Sequence, residues 1–572
     1  MNNTLLECVP NFSEGQNMQI IKQITDQIES VEGVQLLDVD PGKATNRTVV
    51  TFVGNPDAVI EAAFLAIKKA AELIDMSKHK GEHPRFGATD VCPLVPISGI
   101  TMDEAAEYAR KLGKRVGEEL QIPVYLYEHA ASKPERKNLA SVRAGEYEGL
   151  PQKLQNPDWL PDFGPANFTH IVAKTGAIAI GARDFLIAYN INLNTTSVRR
   201  ANAIAFDVRE AGRVIRQGNP ITGEIIRDQN GEPLRKPGAL KSVKAIGWYI
   251  EEYGIAQISM NLTNISVTPI HIAFDEVCQS AQERGIRVTG SEIVGLVPLK
   301  AMLDAGKYFL QKQQRSLGIS EQEIINIAVK SLGLNDITPF NPNKKIIEYV
   351  LRANKPDETK LASMTLTQFA NETASESPAP GGGSVSAYVG ALGISLATMV
   401  ANLSSHKRGW DERWEFFSQL AEQGQTLKDQ LLFMVDEDTR AFNRILDAVR
   451  LPKQTEAEKQ ARTTAIELAT QYATQTPFKV MQLALQSMAI IREMAMHGNP
   501  NSVSDAGVGA YCALAAVKGA YLNVCINAKD LSDKQFAQNI TAQAQQILNQ
   551  AHQTEQEINT LVWKLMNNNP NS

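Results

Sequence analysis

A short polar segment of the chain concentrates residues that can move protons. It reads KHKGEHPR and carries two of the eight histidines, His79 and His83. An imidazole ionises near neutral pH, so it can take a proton from one reacting group and give one to another. Gly81 and Pro84 oppose a regular helix here, and the apolar residues 91–97 are typical of a buried strand. A loop that leads into a buried strand suits an acid–base group, although an ordinary solvated loop fits the same spacing.

The same segment matches the H-x-x-E-H pattern of one class of zinc peptidases. That pattern works on a helix, where both imidazoles reach one metal ion, and Gly81 and Pro84 make a helix poor at this point. No cluster elsewhere in the sequence stands out as a third ligand. Proton transfer is therefore favoured over zinc hydrolysis, and we expect no metal.

Residues 40–47, DPGKATNR, combine a carboxylate, a lysine and a guanidinium between two predicted strands. Lys43 or Arg47 can hold a substrate carboxylate through charge-assisted hydrogen bonds. An ordinary turn between two strands is the alternative interpretation of the same residues.

The glycine-rich stretch SPAPGGGSVS, residues 377–386, precedes a long segment of low charge. Backbone N–H groups at a helix N-terminus opened by glycines bind anions, so Gly381, Gly382 and Gly383 are candidates for a ligand contact. The stretch has no G-K-[ST] and is not a P-loop; a flexible interdomain turn is the alternative. Residues 385–403 are long enough for a membrane span, yet their small residues favour a helix packed in a core or at a dimer seam.

Polar residues recur at helical spacing in the last third of the chain. Asp436 shares a predicted helix face with an arginine, an asparagine and a second aspartate. Asn523 and Asn527 lie one turn apart in the apolar stretch YLNVCIN, so these amides either bind a polar heterocycle or bridge two helices. Ser504 and Asp505 precede an apolar helix, where they either cap the helix or reach a ligand.

Composition limits the class of function. The chain has 572 residues, of which 43% are hydrophobic and 21% charged, and its net charge of −6 argues against a broad nucleic-acid surface. The five cysteines are widely spaced without a C-x-x-C pair, which predicts reduced thiols in a cytoplasmic protein. The first twelve residues lack a basic segment and a long apolar run, so we expect no secretory signal and no membrane partner.

The apolar periodicity changes along the chain. Residues 1–130 alternate strand and helix patterns, residues 158–312 repeat that alternation, and strand patterns nearly vanish from about residue 320. Asn55 and Pro56 are predicted to start a helix, with Asn55 as its cap and Pro56 in the first turn. A capping box is predicted at Thr101 and Glu104, and the polar residues 133–157 are interpreted as a long excursion. The predicted fold is multidomain: an N-terminal α/β (α+β) region of two ferredoxin-like subdomains with a cleft, then an all-α helical-bundle domain.

Longer motifs resemble two known families. HKGEHPRFGATDVCPLVPI, with LECVPNFSEG, DFGPANF and GSEIVGLVPLKA, strongly resembles the glutamate formiminotransferase family. In the helical part, SPAPGGGSVSA and NVCINAKDL resemble the formiminotetrahydrofolate cyclodeaminase family. Their order over nearly the whole chain is similar to the bifunctional formimidoyltransferase-cyclodeaminase family. The resemblance implies formiminotransferase subdomains at residues 1–182 and 183–331, a linker at 332–344 and a cyclodeaminase domain at 345–560.

The resemblance implies two folate reactions in histidine degradation. A formimino group passes from N-formimino-L-glutamate to tetrahydrofolate, which releases glutamate. The 5-formiminotetrahydrofolate then cyclises to 5,10-methenyltetrahydrofolate and loses ammonia. Tetrahydrofolate, with or without a polyglutamate tail, is the co-substrate, and no metal or nucleotide cofactor is implied. Two alternatives stay open: N-formylglutamate as the donor, and an inactive helical domain that only retains folate or mediates oligomerisation.

The resemblance also implies roles for residues of the first domain. The second histidine of HKGEHP, His83, is the catalytic one, and Asp40 is expected to orient or charge it. Folate is expected to bind between the two subdomains, along the segment after DFGP. The implied folate contacts there are Gly164, Pro165, Ala166, Asn167 and Phe168.

For the helical domain the resemblance leaves several candidates. Ring closure needs a proton for the departing ammonia. The candidates for this proton transfer are Asp436, Asp438, Ser504 and Asp505. Asn523 and Asn527 are expected at the pterin edge, and Gly381, Gly382 and Gly383 close to the bound folate. The resemblance further implies a homo-oligomer formed through the helical domain.

Overall fold

The chain folds into two compact units. The computed structural model describes residues 4–42, 46–80, 85–219, 222–229, 231–353 and 360–567. The first unit comprises Met1–Ala301 with Leu332–Asn354, and the second comprises Met302–Ser331 with Lys355–Ser572. Within the described ranges, all strands belong to the first unit, and the second is built of helices. The predicted order of an α/β region followed by a helical region is confirmed.

A mixed seven-stranded sheet forms the first half of the first unit. Its strands are β1 (Leu5–Cys8), β2 (Asn11–Phe12), β3 (Val34–Gly42), β4 (Arg47–Gly54), β5 (Thr89–Ser98), β6 (Val124–Glu128) and β7 (Ile178–Ala182). Strands β1 and β2 follow one another between β4 and β5, and β3 pairs with β4 at one edge. On the other side β7 lies between β5 and β6, parallel to both.

Three helices cover one face of this sheet: α1 (Met18–Glu29), α2 (Pro56–Leu73) and α3 (Met102–Leu120). Asn55 caps α2 by accepting the N–H of Ala58, with Pro56 in the first turn. The predicted capping box of Thr101 and Glu104 starts α3. Alternate residues of the strands pack against these helices, and the residues between them point to the opposite face, which carries both polar and apolar side chains.

Residues 133–157 were expected to form a long polar excursion, and this expectation is wrong. They fold back over the sheet in short helices, and Val142, Leu150 and Leu154 are buried against Tyr125 and neighbouring side chains. The helices are α4 (Leu139–Val142), α5 (Leu150–Lys153) and α6 (His170–Thr175). A few apolar residues spaced among many polar ones are enough to close this layer because the sheet supplies the other half of the core.

A second sheet of four antiparallel strands completes the first unit. Its strands are β8 (Ile187–Leu193), β11 (Val243–Ile250), β12 (Ile255–Leu262) and β13 (Val288–Val294), while β9 (Arg213–Val214) and β10 (Arg235–Lys236) form a separate pair. The strand order is β11–β12–β8–β13. In chain order the helices up to residue 353 are α7 (Val198–Val208), α8 (Ile270–Gln282), α9 (Leu299–Lys312), α10 (Glu321–Ser331), α11 (Pro342–Lys345) and α12 (Ile347–Ala353). Of these, α10 and all of α9 from Met302 onward belong to the second unit. Helices α7 and α8 pack together, and each contacts the sheet.

Five long helices dominate the second unit. After the short α13 (Leu366–Thr373) they are α14 (Gly382–Ser405), α15 (Trp414–Arg450), α16 (Glu456–His497), α17 (Val503–Lys529) and α18 (Lys534–Asn567). Helix α14 packs against α15, α16 and α17, and α18 packs against α16 and α17. Their shared core is rich in alanine and other small residues.

Small residues let α14 and α17 approach closely. A Cβ added at Gly393 would lie 2.9 Å from the carbonyl oxygen of Gly509, so glycine is required where the two helices cross. By length and composition alone, two helical segments of the described residues, Gly382–Ser405 and Pro500–Lys529, are apolar enough to cross a membrane. Core helices pass the same test, and 61% of the apolar window in Gly382–Ser405 is buried inside the unit.

Candidate active sites

Asp90, near the start of β5, is a buried carboxylate surrounded by donors. Its Oδ1 accepts the backbone N–H of Phe86 at 2.7 Å. Its Oδ2 lies 2.9 Å from Nη2 of Arg143 and 3.6 Å from Nη1 of Arg47. The Asp90 side chain is 1% exposed, so guanidinium groups rather than water stabilise its charge. One carboxylate shared by two guanidinium groups leaves these three side chains with a net positive charge.

Arg47 links this carboxylate to β2. Its Nε and Nη2 both donate to Oδ1 of Asn11, Nε at 2.9 Å, and the Asn11 amide in turn donates to the carbonyl of Val9. Burial lowers the pKa of Arg47; the charge of Asp90 acts to raise it and that of Arg143 to lower it. The guanidinium plane is therefore fixed by the folded protein itself, which is the preorganisation that an anion site needs.

The segment before His83 is tied to the end of the β3–β4 hairpin. Nε2 of His79 lies 2.9 Å from the carbonyl oxygen of Asn46, which assigns the ring proton to Nε2. Asn46 donates through Nδ2 to the carbonyl of Lys80 at 2.8 Å and accepts the N–H of Gly15 at 3.0 Å. Nδ1 of His79 is buried and has no hydrogen-bond partner among the described residues. His79 thus anchors residues 79 and 80 to the end of the hairpin.

The segment after His83 is tied down from another direction. The carbonyl of Arg85 accepts the N–H of Tyr147 at 2.8 Å, and Nη2 of Arg85 pairs with Glu148 at 2.5 Å. The Arg85 guanidinium lies 5.9 Å from the centre of the Tyr147 ring. His83 itself lies outside the described residues, so its catalytic role stays a prediction, flanked in sequence by anchored residues on both sides.

Asp40 lies on β3, opposite Val49 of β4, and its side chain is exposed. Its neighbour Val39 packs on the helix-covered side, so strand alternation directs Asp40 to the opposite face. Arg47 lies on this same face, near the hairpin end. The predicted interaction of Asp40 with His83 stays a prediction. Lys43, the other predicted carboxylate ligand, lies outside the described residues.

The predicted folate segment forms a largely exposed bend before α6. Gly164 has a φ of +84°, and a Cβ there would lie 2.2 Å from the carbonyl oxygen of Ile122, so packing alone requires a glycine. The residues that follow it, half-buried or exposed, are Pro165, Ala166 and Asn167. Phe168 is 40% exposed, and its ring lies 6.4 Å from that of Tyr147, next to the turn that holds Arg85. An exposed aromatic ring beside that turn is a suitable surface for a flat heterocycle.

Glu7 on β1 is a buried acid that the sequence analysis missed. Its neighbours Leu6 and Cys8 pack on the helix-covered side, so Glu7 points to the opposite face. Burial raises the pKa of Glu7 to about 7, although Arg183 lowers it, and Glu348 adds to the rise. The signal was an acid inside the apolar run LLECV. A carboxyl group that titrates near neutral pH is suited to hold a proton in the folded protein.

In the second unit, Asp438 of α15 meets the N-terminus of α14. Its Oδ2 accepts the backbone N–H of Ser384 at 2.9 Å and lies 3.1 Å from the Ser384 hydroxyl. A Cβ at Gly383 would lie 2.1 Å from Oδ1 of Asp438, so only glycine admits the carboxylate here. Burial raises the pKa of Asp438, and the hydrogen bonds from Ser384 oppose that rise. Asp438 therefore keeps its proton to a higher pH than an exposed aspartate does.

The two predicted amides of α17 have different partners. Nδ2 of Asn523 donates to the carbonyl of Gly519 in its own helix at 2.9 Å, and a Cβ at Gly382 would lie 3.4 Å from that nitrogen. Nδ2 of Asn527 donates to the carbonyl of Ala473 on α16 at 2.8 Å, so this residue bridges two helices. The structure thus brings Asn523, rather than Asn527, to the glycine-rich helix start.

Two predicted carboxylates lie elsewhere. Asp436 is half-buried, and its Oδ1 lies 3.5 Å from the backbone N–H of Ala362 rather than at the glycines. Asp505 lies in the first turn of α17, and Asn523 is eighteen residues further along that helix, which at the rise of an α-helix separates them by about 27 Å. Within one chain, Asp505 is therefore not a neighbour of Asn523, and Ser504 beside it is exposed at the same helix end.

Glu437, next to Asp438, belongs to a separate network. It accepts the hydroxyl of Tyr472 and lies 2.8 Å from Arg440 and 3.9 Å from Arg444. Burial acts to raise the pKa of Glu437, but the hydrogen bonds from Tyr472 and Arg440 outweigh it, so the pKa is lowered. Two adjacent carboxyl groups on α15 thus have pKa values shifted in opposite directions, because their surroundings differ.

A metal centre is not assembled from the described residues. Among them, no group of three or more His, Cys, Asp or Glu side chains is placed to hold a metal ion. Glu82 and His83 of the H-x-x-E-H pattern lie outside those residues. The five cysteines are free thiols, with Sγ of Cys8 and Cys92 3.4 Å apart in the core.

Three family models together match most of the chain. The model for the formiminotransferase domain, N-terminal subdomain, matches residues 5–183, and that for the formiminotransferase domain matches residues 188–352. The model described as formiminotransferase-cyclodeaminase matches residues 365–546. The matched regions therefore follow the α/β region and the helical region in order.

Curated relatives extend over the same regions. The chain is 43% identical over 547 residues to the formimidoyltransferase-cyclodeaminase of Rattus norvegicus, and the aligned region covers 96% of each chain. It is 45% identical to the glutamate formimidoyltransferase of Thermoplasma acidophilum, over 54% of this chain and 93% of that one. It is 34% identical to the methenyltetrahydrofolate cyclohydrolase of Methylorubrum extorquens, over 36% of this chain and 98% of that one. The chain belongs to the bifunctional formimidoyltransferase-cyclodeaminase family.

Proposed function

We propose that the protein is a bifunctional folate enzyme. The first unit transfers the formimino group of N-formimino-L-glutamate to tetrahydrofolate and releases glutamate. The second unit converts 5-formiminotetrahydrofolate to 5,10-methenyltetrahydrofolate and ammonia. The observation that carries the proposal is a full-length relative named for both activities, at 43% identity over 96% of the chain. The reaction sequence belongs to histidine degradation, with tetrahydrofolate as co-substrate.

In the first unit, His83 is proposed to move the proton. N5 of tetrahydrofolate attacks the formimino carbon and loses a proton, and the departing glutamate nitrogen gains one. One imidazole can perform both steps, and Asp40 is proposed to favour its protonated form. The contacts of His79 with Asn46 and of Arg85 with Tyr147 support this role, because they hold the described residues that precede and follow His83 in the sequence.

The net positive charge around Asp90 is proposed to hold the carboxylates of the glutamate moiety. Arg47 and Arg143 share Asp90, and each side chain is 16% exposed, so part of each guanidinium reaches solvent. Guanidinium forks bind carboxylates bidentately. Phe168 and the bend at residues 164–167 are proposed to contact the folate.

In the second unit, Asp438 is proposed to protonate the leaving ammonia. N10 attacks the formimino carbon to form a tetrahedral carbon bearing an amino group, and that group leaves as ammonia once it is protonated. The raised pKa of Asp438 and its contact with Gly383 support this choice. Asn523, whose amide lies near Gly382, is proposed at the pterin edge. Proton transfer by Asp436 or Asp505 and a pterin contact by Asn527 remain predictions, and the positions of these residues do not favour them.

A second candidate reaction for the helical unit is hydrolysis. The similarity to a methenyltetrahydrofolate cyclohydrolase favours it, because cyclisation and hydrolysis both pass through a tetrahedral folate carbon. Hydrolysis of the methenyl ring consumes water and yields 10-formyltetrahydrofolate. Cyclodeamination releases ammonia and leaves the methenyl ring, so the products distinguish the two.

The ferredoxin-like subdomains are also proposed. In chain order the second sheet alternates as β8-α7-β11-β12-α8-β13. When β1 and β2 are counted as one interrupted strand, β1 to β5 with α1 and α2 give the same β-α-β-β-α-β sequence. This is the connectivity of ferredoxin-like units. The subdomain bounds of 1–182 and 183–331, the linker at 332–344 and the helical domain at 345–560 are proposed with it.

A homo-oligomer formed through the helical unit is proposed from its exposed apolar side chains. On α14 these are Leu392, Met399 and Leu403, and on the adjacent α17 they are Val508, Tyr511, Leu522 and Ile526. They recur at helical spacing on two helices that pack together, which makes a continuous face for a second copy. Free cysteines suit a reducing compartment, and we propose a cytoplasmic location.

The test is to incubate the full-length protein with tetrahydrofolate and N-formimino-L-glutamate, and to follow glutamate, ammonia and methenyltetrahydrofolate together. The proposal predicts all three in equal amounts. Glutamate without ammonia would reduce the helical unit to a folate-retaining or oligomerisation module. Absence of glutamate with this donor, and its release from N-formylglutamate, would establish the formyl donor instead.

A further inference from the structure

The first unit contains a cluster of arginines that does not belong to its candidate active site. Seven arginines among the described residues line one cavity of about 710 Å³, although the whole chain carries a net charge of −6. The cavity shares no lining residue with the Asp90 cluster or with residues 164–168. A volume of this size suits a small-molecule ligand.

Helix α7 builds one wall of the cavity. Its residues Ala201, Ile204, Ala205 and Val208 are buried, which leaves Arg199, Arg200 and Phe206 on the cavity side. Ser197 caps the helix, and its first turn contains no acidic residue. Two arginines at a helix N-terminus oppose the helix dipole and destabilise the free protein. An anion bound here relieves that repulsion.

The deeper arginines are held in place by the fold. Arg213 and Arg284 both pair with Asp207, and Arg216 donates to the carbonyl of Gly223 at 2.7 Å. Arg209 donates to the carbonyl of Gly212 at 3.0 Å. These contacts leave the wall rigid and strongly basic.

The pKa of Arg209 reflects the positive charges of its neighbours. Its guanidinium stacks 4.1 Å from the centre of the Phe206 ring. Burial lowers the pKa of Arg209, and the charges of Arg235 and Arg213 lower it further. The aromatic ring therefore serves to orient a guanidinium in a region of excess positive charge.

Three arginines at the cavity make neither an ion pair nor a side-chain hydrogen bond within the part of the chain that the structure describes: Arg199, Arg200 and Arg235. They come from the start of α7 and from β10, so they approach the cavity from two elements. All three side chains are exposed and able to close on a ligand. A single carboxylate ligand leaves most of this charge unmatched, whereas linked phosphates carry several charges within a few ångströms.

We propose that this cavity binds a ligand with two or more linked phosphate groups. The phosphate chain lies between the fixed arginines of the wall and the three unpaired arginines at the mouth. Each guanidinium group can donate two hydrogen bonds to the oxygens of one phosphate, so the site is expected to recognise the phosphate chain itself. A free oligophosphate and the phosphate tail of a nucleotide share this chemistry.

The experiment is isothermal titration of the full-length protein with sodium tripolyphosphate at low salt. Saturable binding is expected, and the double variant Arg199→Gln/Arg200→Gln is expected to weaken it at least tenfold. Lys111→Gln/Lys114→Gln removes the same charge from the exposed face of α3 and is expected to leave the affinity unchanged. Retained glutamate release by both variants shows that they are folded.

Two further titrations, with ATP and with citrate, identify the class of ligand. ATP that binds as tightly as tripolyphosphate assigns the site to nucleotides, and ATP that binds tenfold more weakly assigns it to free oligophosphate. Citrate that binds as tightly as tripolyphosphate would overturn the choice of phosphate. Equal weakening by the α3 control, or no binding by the unmodified protein, would overturn the site.

Discussion

At the scale of single residues, the two units place carboxyl groups in contrasting surroundings. Asp90 is paired with two guanidinium groups, and Glu437 with a tyrosine and an arginine. Glu7 and Asp438 are buried, and burial outweighs the interactions that oppose it, so the pKa of both is raised. Permanent anions orient cations, and carboxyl groups with a raised pKa can hold protons. The predicted chemistry depends on this division.

Glu7 gives a prediction about stability and pH. Its pKa is raised from 4.5 to about 7, so folding retains its proton while the unfolded chain ionises. The stabilisation is present below pH 4.5 and is lost as the pH rises to 7. At 1.36 kcal/mol per pKa unit, the free energy of unfolding is expected to fall by roughly 3 kcal/mol over this range. Glu7→Gln is expected to remove this part of the pH dependence.

The measurement is the free energy of unfolding of the first unit at a series of pH values from 4.5 to 8. The exposed Glu32→Gln serves as the control and should keep the slope of the unmodified protein. An unchanged slope in Glu7→Gln would contradict the assigned pKa.

Asp438 and Asp436 give a matched pair. Asp438→Asn removes the proposed proton donor and is expected to lower ammonia release from 5-formiminotetrahydrofolate by about a hundredfold or more. Asp436→Asn should lower it by less than about tenfold, because Asp436 does not contact the glycine-rich helix start. Ammonia release is measured at saturating substrate. A larger loss in Asp436→Asn would move the active group to that residue.

At the scale of elements, helix termini and hairpin ends position the candidate groups. The start of α14 receives Asp438 from α15, and the end of the β3–β4 hairpin holds the loop that carries His79. Each contact joins parts of the chain that are distant in sequence. A change at either point is therefore expected to alter activity before it alters the fold.

A substitution at Gly383 tests whether the contact between Asp438 of α15 and the start of α14 matters for activity. In Gly383→Ala the new Cβ would lie 2.1 Å from Oδ1 of Asp438, so the carboxylate must leave Ser384. Ammonia release is expected to fall at least tenfold while glutamate release is kept. In Gly381→Ala the Cβ meets no atom within 4 Å, so the loss should be smaller. Equal losses in the two variants would mean that the close approach of Asp438 is not what matters.

Local signals in the sequence were sufficient for several elements. Asn55 and Pro56 predicted the start of α2, and Thr101 and Glu104 that of α3, because a cap is formed by residues within one turn. The separation of an α/β region from a helical region was equally predictable from the loss of strand periodicity. These features need no knowledge of distant contacts.

Tertiary contacts decided the rest. Asp436 and Asp438 differ by two positions on one helix, and only the packing of α14 on α15 determines that Asp438 meets Gly383. The pairing of Asp90 with Arg47 and Arg143 joins three separate segments, which a single sequence does not reveal. The family resemblance supplied His83, which spacing alone left equal to a solvated loop.

At the scale of the whole molecule, we predict self-association through the helical unit. Leu522 and Ile526 of α17 are 68% and 60% exposed. Leu522→Glu/Ile526→Glu is expected to lower the mass of the particle to that of the single chain, because two charges then face a buried apolar contact. Met18→Glu, at a 54% exposed position on α1, should leave the mass unchanged. Sedimentation velocity makes the comparison, and an unchanged mass in the double variant would place the contact elsewhere.

The two reactions are expected to use two separate active sites in one chain, one served by His83 and the other by Asp438. The most direct measurement gives each variant, His83→Asn and Asp438→Asn, the two substrates in separate reactions. His83→Asn is predicted to lose glutamate release from N-formimino-L-glutamate and to keep ammonia release from added 5-formiminotetrahydrofolate. Asp438→Asn is predicted to do the reverse. Loss of both activities in either variant, with the fold intact, would contradict the account.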